Sequence, residues 1–172
     1  MVLKQPKSAK VDGPLHVVVR IPRDGHPISQ VVDAHRKVID EHGVVWLGLG
    51  GLALSKGIVA KLNEQIAAGV ETCVHVVQKN DKFDVFSGTV LRASLSLPAA
   101  ERELVPRYYL DSGLVNFFNT WLRIDSFKLG SDSQLQKLFI PTSGNSVDFA
   151  LKHGTASLLT GVVGSPQKGV ST

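Results

Sequence analysis

Apolar residues recur along this chain with two periods, about two residues in some segments and three to four in others. Their alternation predicts a mixture of strands and helices. A first helix is predicted after an N-cap at Ser29 and ends at Gly43, and a second begins after Ser55 and ends at Gly69. Ser146 can cap a last helix, whose inward positions at helical spacing are Val147, Ala150, Leu151 and Leu158. Six β-branched or apolar runs are predicted as strands: 15–21, 44–49, 72–77, 83–92, 117–127 and 138–140.

The order of these elements indicates the fold class. A polar turn at 78–82 joins two of the strands into a hairpin, and an irregular, Pro-containing stretch at 97–115 follows. The strands do not alternate regularly with helices, which argues against a doubly wound fold. The sequence therefore predicts an α+β protein with a small, mixed, β-barrel-like curved sheet of about six strands and flanking helices.

Length and composition describe one folded domain with a polar segment at each end. The 172 residues suffice for a sizeable core, and 43% hydrophobic with 20% charged residues is ordinary for a soluble protein. Residues 1–13 carry three lysines without periodicity and predict a flexible basic arm, residues 164–172 have linker composition, and 14–163 form the domain. Neither a signal segment nor a membrane-span window occurs, which favours a cytoplasmic protein without a membrane partner.

The residues that commonly carry chemistry form no catalytic, cofactor or metal motif. The glycines at 48–51 lack the spacing of a phosphate-binding loop. The one cysteine, Cys73, lies in an apolar run typical of a buried thiol and excludes a multi-cysteine zinc site. His35 and His42 lie two turns apart, too far for a helical metal pair. These absences predict a binding module rather than an enzyme, with no cofactor and no metal. The formal charge of +4 permits a polyanionic partner without requiring one.

Aromatic residues supply the candidate binding site. Trp46 ends a short apolar strand beside flexible glycines, which favours an accessible stacking platform, with a core position as the alternative. Tyr108 and Tyr109 are adjacent, so in an extended segment they would point to opposite sides and one would line a groove. Trp121 is expected to be buried at the edge of the core.

Five segments occur in a recognisable order: VVVR at 17–20, GVVW at 43–46, FDVFSGTV at 83–90, FNTWLRI at 118–124 and LFIPTSG at 138–144. Over about residues 15–160 this ordered set resembles the YTH domain and its EVE-type relatives within the PUA-like superfamily. The resemblance implies a pocket in which a methylated base, turned out of its strand, lies among two or three aromatic side chains. It leaves open whether the strand is DNA or RNA and which modified base is bound.

The resemblance also implies roles for particular residues. Trp46 matches the first cage tryptophan of the family. The second wall comes from the loop before the long strand, where this chain has two tyrosines instead of a tryptophan; Tyr109 is favoured over Tyr108, and Phe117 is the next candidate.

Three arginines are the candidate contacts to the nucleic-acid backbone. Arg20 matches the family's basic residue after the first strand, and Arg23 and Arg107 are predicted to act with it.

The resemblance further implies that the chain is the recognition part of a modification-dependent restriction system, whose motor or nuclease is a separate subunit or domain. Two alternatives are a PUA-like RNA-binding domain without modified-base selectivity and a small nucleotide-acting enzyme on the same scaffold, with His75 or Asp125 in its pocket.

Overall fold

The structure is a computed structural model that describes residues 13–50 and 53–163. The predicted arm, apart from Gly13, and the predicted tail at 164–172 lie outside these ranges, as do Gly51 and Leu52. The helices are α1 (Ile28–His42), α2 (Lys56–Ala67), α3 (Arg107–Asp111), α4 (Asp132–Gln136) and α5 (Val147–His153). The strands are β1 (Leu15–Ile21), β2 (Val45–Leu49), β3 (Cys73–Lys79), β4 (Phe83–Ser94), β5 (Thr120–Ile124), β6 (Lys128–Leu129), β7 (Leu138–Phe139) and β8 (Leu158–Val163).

All eight strands belong to one open mixed sheet, in the order β2-β5-β4-β3-β1-β8-β7, with β6 paired to β4. β1 and β3 are parallel, and the other neighbours are antiparallel. The predicted α+β class and the hairpin of β3 and β4 are confirmed. The prediction of about six strands missed β6 and β8. β6 has only two residues, and β8 begins at Leu158, which the helical spacing had assigned to the last helix.

Helix ends follow mainly from local residues. Ser55 accepts a hydrogen bond from the Ile58 N–H at the start of α2, and Ser146 accepts one from the Phe149 N–H at the start of α5, so both predicted caps are confirmed. Gly43 ends α1 with a φ of 83°, as predicted. The Ser29 cap is wrong, because α1 begins at Ile28 and its N-cap is Pro27, two residues before Ser29.

The sheet buries both of its faces. One face packs against α1 and α2 in a core that includes Val17, Val32 and Leu62. The other face packs against α4 and α5 through residues such as Val18 and Leu151. Successive residues of β1 therefore enter different cores, as the two-residue period of a strand requires.

The segment 95–119 includes the stretch 97–115 that was predicted to be irregular. It contains α3 and two short 3₁₀ turns and covers one side of β2 and β5. It also covers the edge of β2: the Trp46 N–H donates to the Leu104 carbonyl at 2.7 Å, and the Gly48 N–H donates to the Tyr109 hydroxyl at 3.2 Å. Trp121 is buried beneath this segment, as expected. The predicted strand at 117–127 is limited to Thr120–Ile124 because a 3₁₀ turn precedes it.

We expect Gly48→Ala to destabilise the fold by about 1–3 kcal/mol, the usual cost of overpacking a core. A Cβ at Gly48 would overlap the Phe118 ring, because it would lie only 2.7 Å from the Cγ atom of Phe118. Gly50→Ala is the matched control, because its Cβ would lie 3.4 Å from the nearest atom of the same ring. Urea unfolding of both variants measures the difference, and equal stabilities would contradict the close packing of Phe118 on β2.

Candidate functional site

An apolar cavity of about 270 Å³ lies where β1 and β2 end. Val19 and Ile21 of β1 and Leu47 and Leu49 of β2 line it together. Three strands separate β1 from β2 in the sheet order, so a flat sheet would place them roughly 19 Å apart. Because both strands reach one cavity, the sheet is curved around it.

Two connections complete the walls of this cavity. The β1–α1 connection contributes Pro22, Gly25 and His26, and the segment 95–119 contributes an aromatic side. A second cavity of about 220 Å³ adjoins the first, since His26, Val31 and Tyr108 line both. We call the two cavities together the aromatic groove. Its residues from the segment 95–119 are Tyr108, Tyr109, Leu114 and Phe118.

A buried hydrogen-bond chain fixes the floor of the aromatic groove. The His35 Nδ1–H donates to the Val31 carbonyl at 2.6 Å, so its Nε2 accepts from the Tyr109 hydroxyl at 2.8 Å. The same hydroxyl accepts from the Gly48 N–H. Burial lowers the pKa of His35 to about 4 and raises that of Tyr109, so both side chains are neutral near neutral pH. Tyr109 therefore offers the groove its ring and not a free hydroxyl.

The two tyrosines do not point to opposite sides, as was predicted for an extended segment. They lie in α3, where successive side chains are about 100° apart, and both line the cavity with their ring centroids 4.8 Å from each other. Tyr109 is buried and Tyr108 is partly exposed. The accessible ring is thus Tyr108, whereas the sequence favoured Tyr109.

Trp46 is not accessible, so the prediction of a stacking platform at this position is wrong. Its side chain is 0% exposed, and it does not line the aromatic groove. Successive side chains of β2 lie on opposite faces, so Leu47 lines the groove and Trp46 does not. Trp46 packs against Val105 and Trp121 under the segment 95–119. The neighbouring glycines do not leave it exposed because this distant segment folds over it.

Phe117 is 74% exposed and lies outside the lining of the groove, whereas its neighbour Phe118 lies inside it. Sequence reasoning also missed His26, whose ring centroid is 5.8 Å from that of Tyr108. The position of His26 in a Pro- and Gly-containing connection between a strand and a helix was the signal that could have identified it. No local signal identified Phe118, because its place depends on the register with Gly48 on another strand.

The three predicted arginines have different environments. The guanidinium of Arg20 donates to the Gly154 carbonyl at 2.9 Å and to the Leu151 carbonyl, at the end of α5. Two donors of Arg20 are therefore used within the fold, while the residue stays partly exposed. Arg23 is exposed in the β1–α1 connection, and the Arg107 side chain is 91% exposed with only a surface ion pair. Both of these flank residues that line the groove.

The candidate residues for an enzyme lie elsewhere. His75 is on the opposite face of the sheet, with its Nδ1 2.6 Å from the Ser87 hydroxyl, and burial lowers its pKa to about 4. Asp125 does not line the aromatic groove. Cys73 is half-buried, and burial together with the nearby Glu71 carboxylate raises its pKa to about 11. Residues 13–50 and 53–163 contain no group of three His, Cys, Asp or Glu side chains placed to hold a metal.

Comparisons with protein-family models, with curated proteins and with solved structures give no match to this chain. Among the residues that the structure describes, no helix is long and apolar enough to cross a membrane. The function of the aromatic groove is therefore inferred from its own geometry and chemistry.

We expect the free energy of unfolding to fall as the pH is lowered from 6.5 towards 4. In the folded state the pKa of His35 and of His75 is about 4 instead of 6.5, so within this window the unfolded chain binds more protons. Each histidine then removes at most roughly 3 kcal/mol of stability, and above this window neither contributes a pH dependence. Urea unfolding on both sides of the window measures the slope.

His75→Gln should reduce this slope, because it removes one of the buried imidazoles whose pKa lies below the ordinary value. His42→Gln is the control, since His42 is exposed at the end of α1. A slope that stays the same in His75→Gln, or that is absent in the wild type, would contradict the buried neutral state.

Proposed function

We propose that this chain is a nucleic-acid-binding module that accepts a methylated base, turned out of its strand, in the aromatic groove. The observation that carries this proposal is the groove itself, with the partly exposed Tyr108 ring at its mouth and the Tyr109 and Phe118 rings behind. A base ring has two faces suited to stacking on aromatic side chains. A methyl group adds apolar surface that a dry, apolar slot stabilises.

Few polar groups of the groove are available to a ligand, which supports recognition by shape and stacking. The Tyr109 hydroxyl already donates to His35 and accepts from Gly48, so it has little capacity left for a ligand. The Tyr108 hydroxyl also interacts with that of Tyr109, so the remaining polar side chains that line the groove are His26 and Gln30. A ligand with a large apolar surface and a few polar edge atoms fits this supply, and a nucleobase is such a ligand.

The size of the aromatic groove also supports a single base. Its cavities measure about 270 and 220 Å³, below or near the lower end of roughly 300 Å³ for pockets that hold drug-sized molecules. A base pair is larger than a single base, so the base would have to leave its partner strand or come from a single strand.

Charge at the mouth of the groove supports binding of the backbone. Arg23 and Arg107 adjoin groove residues in the sequence, and both are exposed. Phosphates of the strand on either side of the extruded base would then be within reach of a cation.

Within this proposal the fold is a barrel-like, PUA-like arrangement related to YTH and EVE-type domains. The curvature that brings β1 and β2 to one cavity supports it. Tyr108 would then take the accessible position that the resemblance assigns to Trp46. As the recognition part of a modification-dependent restriction system, the chain would act in the cytoplasm with a separate motor or nuclease. The alternatives gain no such support: an RNA-binding domain without selectivity needs no groove, and the enzyme candidates His75 and Asp125 do not line it.

Tyr108→Ala should weaken binding of a methylated oligonucleotide by about 1–3 kcal/mol, the usual value of one base–aromatic stack. Fluorescence anisotropy with single-stranded DNA and RNA probes, each in methylated and unmodified form, measures the affinities. Phe149→Ala is the matched control, because Phe149 is a half-exposed aromatic on α5 outside the groove. Equal affinity of the wild type for methylated and unmodified probes would refute modified-base recognition.

Arg23→Gln and Arg107→Gln should weaken binding of methylated and unmodified probes alike, because phosphate contacts carry no base information. The dependence of affinity on salt should become less steep in each variant. Lys152→Gln, which removes an exposed cation of α5, is the control. A loss confined to the methylated probe would instead place that arginine in the base pocket.

A further inference from the structure

The β1–α1 connection, residues 22–27, is the least regular wall of the aromatic groove. It carries the exposed Arg23 and the groove residue His26, and its Gly25 N–H donates to the Pro22 carbonyl in a tight turn at 2.9 Å. A connection without regular secondary structure needs another source of rigidity if it is to present these side chains in one geometry.

One buried side chain makes two hydrogen bonds to this connection and a third to the first residue of α1. Gln78, 3% exposed near the end of β3, pairs in register with Ile21 of β1. Its Nε2 donates to the Pro22 and His26 carbonyls, each at 3.1 Å, and its Oε1 accepts from the Ile28 N–H at 2.8 Å. Both ends of the connection are thereby bound to the sheet through a single amide.

The bond to Ile28 also explains how α1 begins. Its N-cap residue is Pro27, which offers no side chain to accept from the first N–H groups of the helix. The Oε1 of Gln78 accepts from the first of these groups in its place. The start of α1, and with it Val31 in the groove, is held by the same amide.

We propose that Gln78 is a positioning residue that sets the geometry of the aromatic groove by holding the β1–α1 connection. This inference rests on the proposed function for its effect on binding, but the geometry can be tested without a ligand. An apolar side chain at position 78 would remove the partner of the Ile28 N–H and of the His26 carbonyl, while the Pro22 carbonyl would keep only the Gly25 N–H. The connection would then have to move towards water.

The chain contains a matched control for this role. Gln65 of α2 also makes three hydrogen bonds: its Oε1 accepts from the Leu15 N–H at 2.6 Å, and its Nε2 donates to the Leu15 carbonyl at 3.0 Å and to the Thr72 hydroxyl at 3.2 Å. These bonds hold the start of β1, and neither Gln65 nor Leu15 lines the groove. Losing them should affect stability without changing the groove.

The experiment compares Gln78→Leu with Gln65→Leu by amide hydrogen exchange and by binding of the methylated oligonucleotide. In Gln78→Leu, the Ile28 amide should exchange faster while Leu15 stays protected, and affinity should fall about tenfold, which corresponds to roughly 1.4 kcal/mol. In Gln65→Leu, the Leu15 amide should exchange faster, Ile28 should stay protected and affinity should be retained. A role in global stability alone would not separate the two variants in this way.

The inference would be overturned if the Ile28 amide of Gln78→Leu exchanged at the wild-type rate, or if the affinity of that variant were unchanged. If the wild type binds no oligonucleotide, the proposed function fails. The role of Gln78 in holding the connection is then tested by the exchange rate of the Ile28 amide and by the NMR signals of the His26 ring. If Gln78→Leu does not fold, Gln78→Glu replaces it. An ionised carboxylate can still accept from Ile28 but cannot donate to the Pro22 and His26 carbonyls, so altered His26 signals are expected and unaltered ones would overturn the inference.

Discussion

The hydroxyl group of Tyr109 joins three parts of the fold that are distant in sequence. It donates to His35 on α1 and accepts from the Gly48 N–H on β2, while its own backbone lies in α3. All of these groups are buried, so loss of the hydroxyl would leave two polar groups unpartnered, at about 1–3 kcal/mol each. The hydroxyl also satisfies an outward N–H of an end strand, which would otherwise be available for pairing with another chain.

The aromatic groove depends on this contact. With Tyr109 held against β2, the Phe118 ring can lie directly on Gly48. Glycine allows this contact because it has no side chain to obstruct the ring. Tyr108, one position earlier in α3, then comes to the mouth of the groove beside His26. The accessible ring owes its position to a neighbour that is itself inaccessible.

The groove thus has two walls of different construction, each held by a buried polar side chain. Tyr109 holds the aromatic wall, and Gln78 holds the connection that forms the opposite wall. The polar atoms of both anchors are used within the protein, so the surface offered to a ligand is mainly apolar ring and aliphatic carbon. Such a surface suits selection by shape and stacking, which is the basis of the proposed recognition of a methylated base.

Local patterns in the sequence determined the elements whose causes are themselves local. The end of α1 at Gly43 and the starts of α2 and α5 at Ser55 and Ser146 follow from the conformational freedom of glycine and from capping hydroxyls. The hairpin of β3 and β4 follows from two apolar runs around a polar turn. The α+β class could be predicted from the order of these elements.

Tertiary contacts decided which aromatic and basic side chains a ligand can reach. Trp46 is buried because the segment 95–119 folds over β2, and Arg20 binds the end of α5, far away in the sequence. Tyr108 is accessible and Tyr109 is not, although both belong to one short helix. The sequence alone determined the capped helix ends and the alternation of the strands, since these depend on neighbouring residues. Exposure depends on which distant segment covers a residue, and only the folded chain determines that.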